Sequence, residues 1–281
     1  MRWLVAVVLI CRIAHADPAA DANKAMQAFV DATAAKKLPG EVEVFIGPQH
    51  DAAHAVTEVG DVLDIVGKPK LEIVATHVAK SGTAAWIVAQ ISGAKYEAEF
   101  GKTVTAPLRA SAFLTLDGGA WHVRATHWSG GKPNSPPSGM CGLIDPGYEP
   151  PPRIAKGTEP VVKVVTGAFA GQMQGAGTSA LVIPALSDDK AAQMFGSAPT
   201  EKFTGGAAIK KVFKAWKIDL YADTGEHTIS GLAPGGDLAW VAMDVQTFWQ
   251  CTSYRALFVL QKEGTAWKIV HQHYSNSVMT P

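Results

Sequence analysis

The side chains of this 281-residue chain whose types and spacing invite chemistry are two histidines, an aspartate and two arginines. His127 and His273 lie 146 residues apart, as do Arg109 and Arg255, Trp121 and Trp267, and Ser129 and Ser275. All eight fall in one ungapped pair of segments, LRASAFLTLDGGAWHVRATHWS from Leu108 and YRALFVLQKEGTAWKIVHQHYS from Tyr254. Each segment predicts two strands joined by a tight turn. Strict alternation along the second strand puts Trp267, Ile269, His271, His273 and Ser275 on one face, and Trp121, Val123, Ala125, His127 and Ser129 on its counterpart. An imidazole on such a face either works in a pocket as acid, base or ligand donor, or hydrogen-bonds a neighbouring strand. Its retention in both copies favours the second role.

Asp244 is the carboxylate that could complete a catalytic pair. Alternation places it with Trp240, Ala242 and Gln246, where burial would raise its pKa towards that of a general base. The pairing would be Asp244 as base and His273 as polarising group. The counterpart of Asp244 in the first copy is Gln90, which cannot abstract a proton, although ordinary drift at a solvent-facing position would leave the same difference. Ligand contacts would come from Trp240, Tyr254, Arg255 and His271 in the second copy and from Arg109 and His127 in the first. The arginines either clamp an anion or pair with an acidic residue of their own domain. Trp86, Trp121, Trp240 and Trp267 read as core. His50, Asp51 and His54 sit close together without a helix to align them or a further ligand, so no metal site is expected. Phosphate-cradling glycine loops, G-x-S-x-G and C-x-x-C are absent from the sequence, and no cofactor is expected.

The elements that would position these residues also occur twice. Asp21–Lys37 and Glu159–Met173 have helical apolar spacing, and AAIKKVFKAW after Gly205 and Gly206 predicts a further helix. Lys70–Val78 and Thr83–Ser92 alternate as strands, with counterparts at Lys217–Ser230 and Leu238–Trp249. The pairs Ala85-Trp86 and Ala239-Trp240 mark that match at an offset of 154. A short strand or turn is expected around Leu181–Ile183. Residues 132–157, rich in Pro and Gly, read as a linker.

Lys+Arg and Asp+Glu number 25 each, so charge gives no reason to expect a nucleic acid or an anionic membrane as partner. Arg2, the apolar run Trp3–Ile10 and Ala14-His15-Ala16 form a secretory signal peptide over residues 1–16. The chain is therefore expected in the periplasm or outside the cell, with no membrane insertion once that segment is removed. Cys141 and Cys251 would remain, either bridged or as two thiols.

Helices followed by long antiparallel strands that end in W-[KH]-[IV]-x-x-x-H-[YW]-S resemble the SnoaL-like branch of the nuclear transport factor 2-like superfamily. The resemblance is carried by FTGGAAIKKVFKAW, Ala239-Trp240, Tyr254-Arg255 and WKIVHQHYS in the second copy and by Leu71–Ser129 in the first. It implies an α+β fold of two tandem cone-shaped domains, 17–131 and 158–281, each a curved antiparallel sheet packed on N-terminal helices, paired as an internal pseudo-dimer. It also implies either a non-catalytic module for a small apolar molecule or an envelope protein, or an isomerase or cyclase.

Overall fold

The computed structural model describes residues 17–35, 37, 40–47, 53–54, 66–98, 102–105, 107–130, 153–169, 178–198, 200–215, 220–222, 228–247 and 253–276. The signal segment, His50, Asp51, Cys141, Cys251 and the linker up to residue 152 lie outside them.

Helix α1 (Pro18–Ala34) begins where Asp17 accepts a hydrogen bond from the Ala19 N–H at 3.0 Å and Pro18 takes a position that needs no N–H. Its Ala22, Met26, Phe29 and Val30 make one buried stripe. The first sheet follows: β1 (Val44–Ile46), β2 (Ala53–His54), β3 (Val66–Val78), β4 (Ala84–Ala98), β5 (Lys102–Thr105), β6 (Leu108–Asp117) and β7 (Ala120–Ser129). Their order is β2-β1-β7-β6-β4-β3, with β5 on β4. Among the described strands of this sheet only β1 and β7 pair in parallel.

The second half opens with β8 (Arg153–Ile154), α2 (Glu159–Phe169), α3 (Thr178–Ala185), β9 (Gln193–Phe195), β10 (Lys202–Thr204) and α4 (Gly206–Ala215). It closes with β11 (Leu220–Ala222), β12 (Ile229–Leu232), β13 (Leu238–Thr247), β14 (Ser253–Glu263) and β15 (Ala266–Asn276). The order is β10-β9-β15-β14-β13-β12-β8, with β11 on β13. The parallel pair β9 and β15 repeats that of β1 and β7. The expected strand or turn at Leu181–Ile183 is instead part of α3, since a three-residue apolar run carries no period and neighbouring α2 and α4 decide its form. The Lys70–Val78 strand has two short counterparts, β11 and β12, both on β13. At the start of α4 only glycine fits: a Cβ on Gly206 would stand 2.1 Å from the Ser187 carbonyl oxygen.

Each sheet has two apolar faces. One closes on its own helices: Met26, Phe29, Phe45 and Trp128 in the first half, and Phe169, Phe213, Phe258 and Tyr274 in the second. The other faces the opposite sheet, where Trp86, Val88 and Phe113 pack with Phe195, Trp240, Leu257 and Val259 in one shared cluster. The protein is thus an α+β molecule of two sheets, each backed by helices, joined along a sheet-to-sheet seam.

A β-bulge corrects the strict alternation expected of the last strands. Val259 pairs with His271 and Leu260 with Ile269, which leaves Val270 extra; Phe113 pairs with Ala125 and Leu114 with Val123, which leaves Arg124 extra. One extra residue moves everything beyond it to the opposite face. Trp267 and Ile269 therefore lie on the helix side, whereas His271 and His273 lie at the seam. Arg124 and Val270 occupy equivalent positions, so the bulge itself is repeated.

Candidate functional site

The two histidines meet each other. The rings of His127 and His273 stack with centroids 3.9 Å apart and planes 15° from parallel, and both residues are 0% exposed. Each bonds the serine that the other half places at the end of its last strand. His127 Nε2 lies 2.8 Å from Ser275 Oγ, and His273 Nε2 lies 2.8 Å from Ser129 Oγ. Residue i touching j′ while i′ touches j is the mark of a two-fold contact. The turns between β3 and β4 and between β12 and β13 repeat it: Ser81 donates its N–H and hydroxyl to Asp237, and the Gly235 N–H donates to Thr83 Oγ1 at 2.9 Å.

One directional hydrogen-bond chain crosses the seam. His271 Nδ1 sits 3.1 Å from the Gln193 carbonyl, which can only accept, so Nδ1 carries the proton. His271 Nε2 then accepts from Ser111 Oγ at 2.7 Å. That uses the only Ser111 hydroxyl hydrogen, so His273 Nδ1–H donates to Ser111 Oγ at 2.9 Å, and His273 Nε2 accepts from Ser129. Ser129 Oγ in turn accepts from Arg109 Nε at 3.1 Å and Nη2 at 3.0 Å. Both imidazoles are neutral, each with a fixed tautomer.

Burial enforces that neutrality. It is the main cause that brings His271 down to about 3, and it holds His127 and His273 well below the ordinary imidazole value. The Arg109 guanidinium lowers both members of the stacked pair further, and Arg255 acts on His127 as well. Among the described residues the Nδ1 of His127 has no partner within hydrogen-bond geometry, although the His273 backbone favours the charged ring. The residue equivalent to Ser111 is Leu257, which has no hydroxyl to offer. The Trp86 indole lies between imidazoles, with His77 at 4.0 Å and His271 at 5.2 Å.

The remaining candidates are dispersed. Arg109, brought down to about 10 by burial against the pull of Glu201, reaches from the first sheet to donate to the Ala198 carbonyl at 2.8 Å. It thereby pins the turn after β9. Arg255 is buried opposite Ser275 and Asp244 in the strand register. Asp244 itself lies on β13 in the row of Trp240 and Ala242, and its side chain is outside the described residues. Half-buried Tyr254 is raised by burial and by Glu201. Trp240 and Trp86 are seam residues, whereas Trp121 and Trp267 flank the two helix-side cores. Of the two roles weighed for the histidines, bonding within the protein is the one the geometry shows: His127, His271 and His273 point away from the helices and into the seam. Sequence reasoning missed Ser111, Gln193 and His77. The usable signal was parity, because Trp128 and Tyr274 are large apolar residues out of phase with Trp121 and Trp267.

Among the described residues no cluster of three or more His, Cys, Asp or Glu could hold a metal ion. His54 lies on β2 with its side chain outside the description. No helix there is long and apolar enough to cross a membrane.

Residues 183–280 match the SnoaL-like domain family. The match spans α4, the seam strands β13 to β15 and both seam histidines of the second half. Comparison with curated proteins matches none. Similar solved structures include an NTF2-like protein of unknown function from Pseudomonas putida, 16% identical over 41% of this chain and 82% of that one, TM-score 0.33. An NTF2-like protein of unknown function from Shewanella baltica is 21% identical over 42% of this chain and 92% of its own, TM-score 0.30. An uncharacterised protein with a cystatin-like fold from Caulobacter vibrioides is 12% identical, covering 43% and 90%, TM-score 0.34.

Proposed function

We propose that the chain is an exported, non-catalytic binding module built from two SnoaL-like domains, 17–131 and 158–281, fixed back to back, and that its partner is a protein of the cell envelope. One observation carries the non-catalytic half of this reading. The recurring histidines are stacked on each other at 3.9 Å with no exposed surface, and every bonded ring nitrogen is taken up by a serine hydroxyl or a carbonyl of the protein itself. A general acid or base must reach substrate directly or through one water. An isomerase or cyclase using Asp244 and His273 would have to pull His273 out of the seam.

The choice of a protein over a small apolar molecule rests on the packing of the helix-side cores. Phe29, Phe45 and Trp128 contact one another with centroids 5.1–6.1 Å apart in the first, and Phe258 touches both Phe169 and Tyr274 in the second. Aromatic side chains packed on one another in each core support a partner on the surface over a ligand between sheet and helices. Export rests on the A-x-A segment before Asp17.

The test is to express the full chain in its host, fractionate the cells, cross-link in the intact envelope and identify adducts by mass spectrometry. A processed chain in the envelope fraction, cross-linked to one protein in stoichiometric amount, is the expected result. A cytoplasmic, unprocessed chain contradicts export. Stoichiometric release of an apolar small molecule on denaturation, with no cross-linked protein, contradicts the protein partner.

A further inference from the structure

We propose that the histidine row at the seam is an acid-operated latch, whose protonation parts the two sheets while each keeps its own helix-side core. The geometry supplies both halves of this device. His127, His271 and His273 all lie where the sheets meet, while the cores around Phe29 and Phe169 are separate clusters that draw on one half each. Parting the sheets therefore breaks the shared seam and leaves each sheet its own backing.

The bonded run across the seam has no place for an added proton. Along the run from Arg109 to Gln193 each hydroxyl hydrogen is used once, and every hydrogen points the same way. A second proton on His273 would face Ser129 Oγ, which already accepts twice from Arg109. A proton on His271 would face the hydroxyl hydrogen of Ser111. Charge on both stacked rings would set two cations 3.9 Å apart beside a buried guanidinium.

The charged groups around the row do not compensate. Arg109 on β6, Arg255 on β14 and His271 oppose protonation of His127, against a smaller pull from the His273 backbone, and His127, Arg109 and His271 oppose that of His273. His77 on β3 adds to the opposition at His271. The carboxylates felt here act elsewhere: Glu201 on Arg109, and Asp189 on His77. Asp244 stands opposite Arg255 in the register, with its side chain outside the described residues.

Opening exposes the histidines to water, where an imidazole titrates near pH 6.5. Each proton taken up on opening favours the open form about tenfold per pH unit, so three give up to about a thousandfold per unit below that pH.

The experiment scans the full chain from about pH 7.5 to about pH 4, across the range where exposed imidazoles titrate. Small-angle scattering, near-ultraviolet circular dichroism of the tryptophans and far-ultraviolet dichroism are followed together. The expected result is one reversible expansion below pH 6.5 with loss of the tryptophan signal, retention of far-ultraviolet signal and a steepness of two to three protons. His127→Phe keeps the ring stack and removes one titrating group, and His271→Gln removes another; each should lower the steepness by about one proton and move opening to lower pH. If His271→Gln does not fold, His127→Phe decides alone. Three results overturn the latch: a closed molecule at the acid end, loss of far-ultraviolet signal in the same step, or a steepness that the variants leave unchanged.

Discussion

His127 and His273 are the same residue at the same place in two copies of one strand, yet their surroundings differ. Both ring nitrogens of His273 are bonded, to Ser111 and Ser129, whereas His127 bonds Ser275 through Nε2 and leaves Nδ1 without a partner among the described residues. The cause lies across the seam, where Ser111 on β6 meets His273 and the equivalent position on β14 is Leu257. The stack and the crossed serine contacts are common to both copies, so they belong to the docking of the two halves. The extra bonds to Ser111 and His271 belong to one side only, and they carry the directional chain.

The largest predicted effects fall at this pair of positions. Ser111→Ala leaves His273 Nδ1 and His271 Nε2 without partners in a dry seam and should cost about 2–4 kcal/mol in urea denaturation. Leu257→Ala at the matching position leaves the polar contacts intact and, as a core truncation, should cost about 2–5 kcal/mol. The distinguishing result lies in pH dependence: Ser111→Ala should change the steepness of acid destabilisation, and Leu257→Ala should not.

Next comes the acid dependence of the parent protein. The folded state holds these histidines far below the unfolded value of about 6.5. Above that pH neither state binds the protons and stability is at its full value. As pH falls below it the unfolded chain takes up protons that the folded chain refuses. Stability then drops by about 1.4 kcal/mol per pH unit for each histidine, until the folded value is reached, about 3 for His271. Urea titrations at successive pH values should show stability level above neutrality and falling below about pH 6.

A second pair of equivalent positions sharpens the contrast. His77 and Gly231 stand opposite Trp86 and Trp240 in their registers. A Cβ on Gly231 would come within 2.3 Å of Trp240 Nε1, so Gly231→Ala should cost about 1–3 kcal/mol through overpacking. His77→Ala loses only a stacked, half-buried ring whose Nε2 has no partner, and should cost about 1 kcal/mol. The smallest effect is expected at the exposed turns, where Asp237→Ala removes two hydrogen bonds to Ser81 for about 0.5–1.5 kcal/mol.

Much of this organisation was legible in the sequence. The offset of 146 residues announced two copies, and the spacing of Met26, Phe29, Val30 and Thr33, or of Ile209 and Phe213, marked the buried helix faces, although it put Ala25 there where Ala22 is the buried residue. Pairing of the two halves was an implication of the family resemblance rather than of the repeat. The direction of the histidines showed only in parity, through Trp128 and Tyr274, because a bulge adds one residue without changing composition. Arg124 and Val270 share no side-chain property that would flag it. The run Leu181–Ile183 failed for a different reason, since its form is set by neighbouring helices. Nor could spacing show that Ser111 joins two imidazoles 160 and 162 residues away.

The central claim is that the seam histidines are neutral, buried and bonded across the two halves. Nitrogen-15 spectra of histidine-labelled protein, recorded from neutrality downwards, test it most directly. The account predicts that His127, His271 and His273 keep neutral shifts until the molecule opens, with His271 and His273 both as Nδ1–H tautomers. A His271 or His273 resonance that titrates near pH 6.5 in the closed protein, or shows the Nε2–H tautomer, would contradict it.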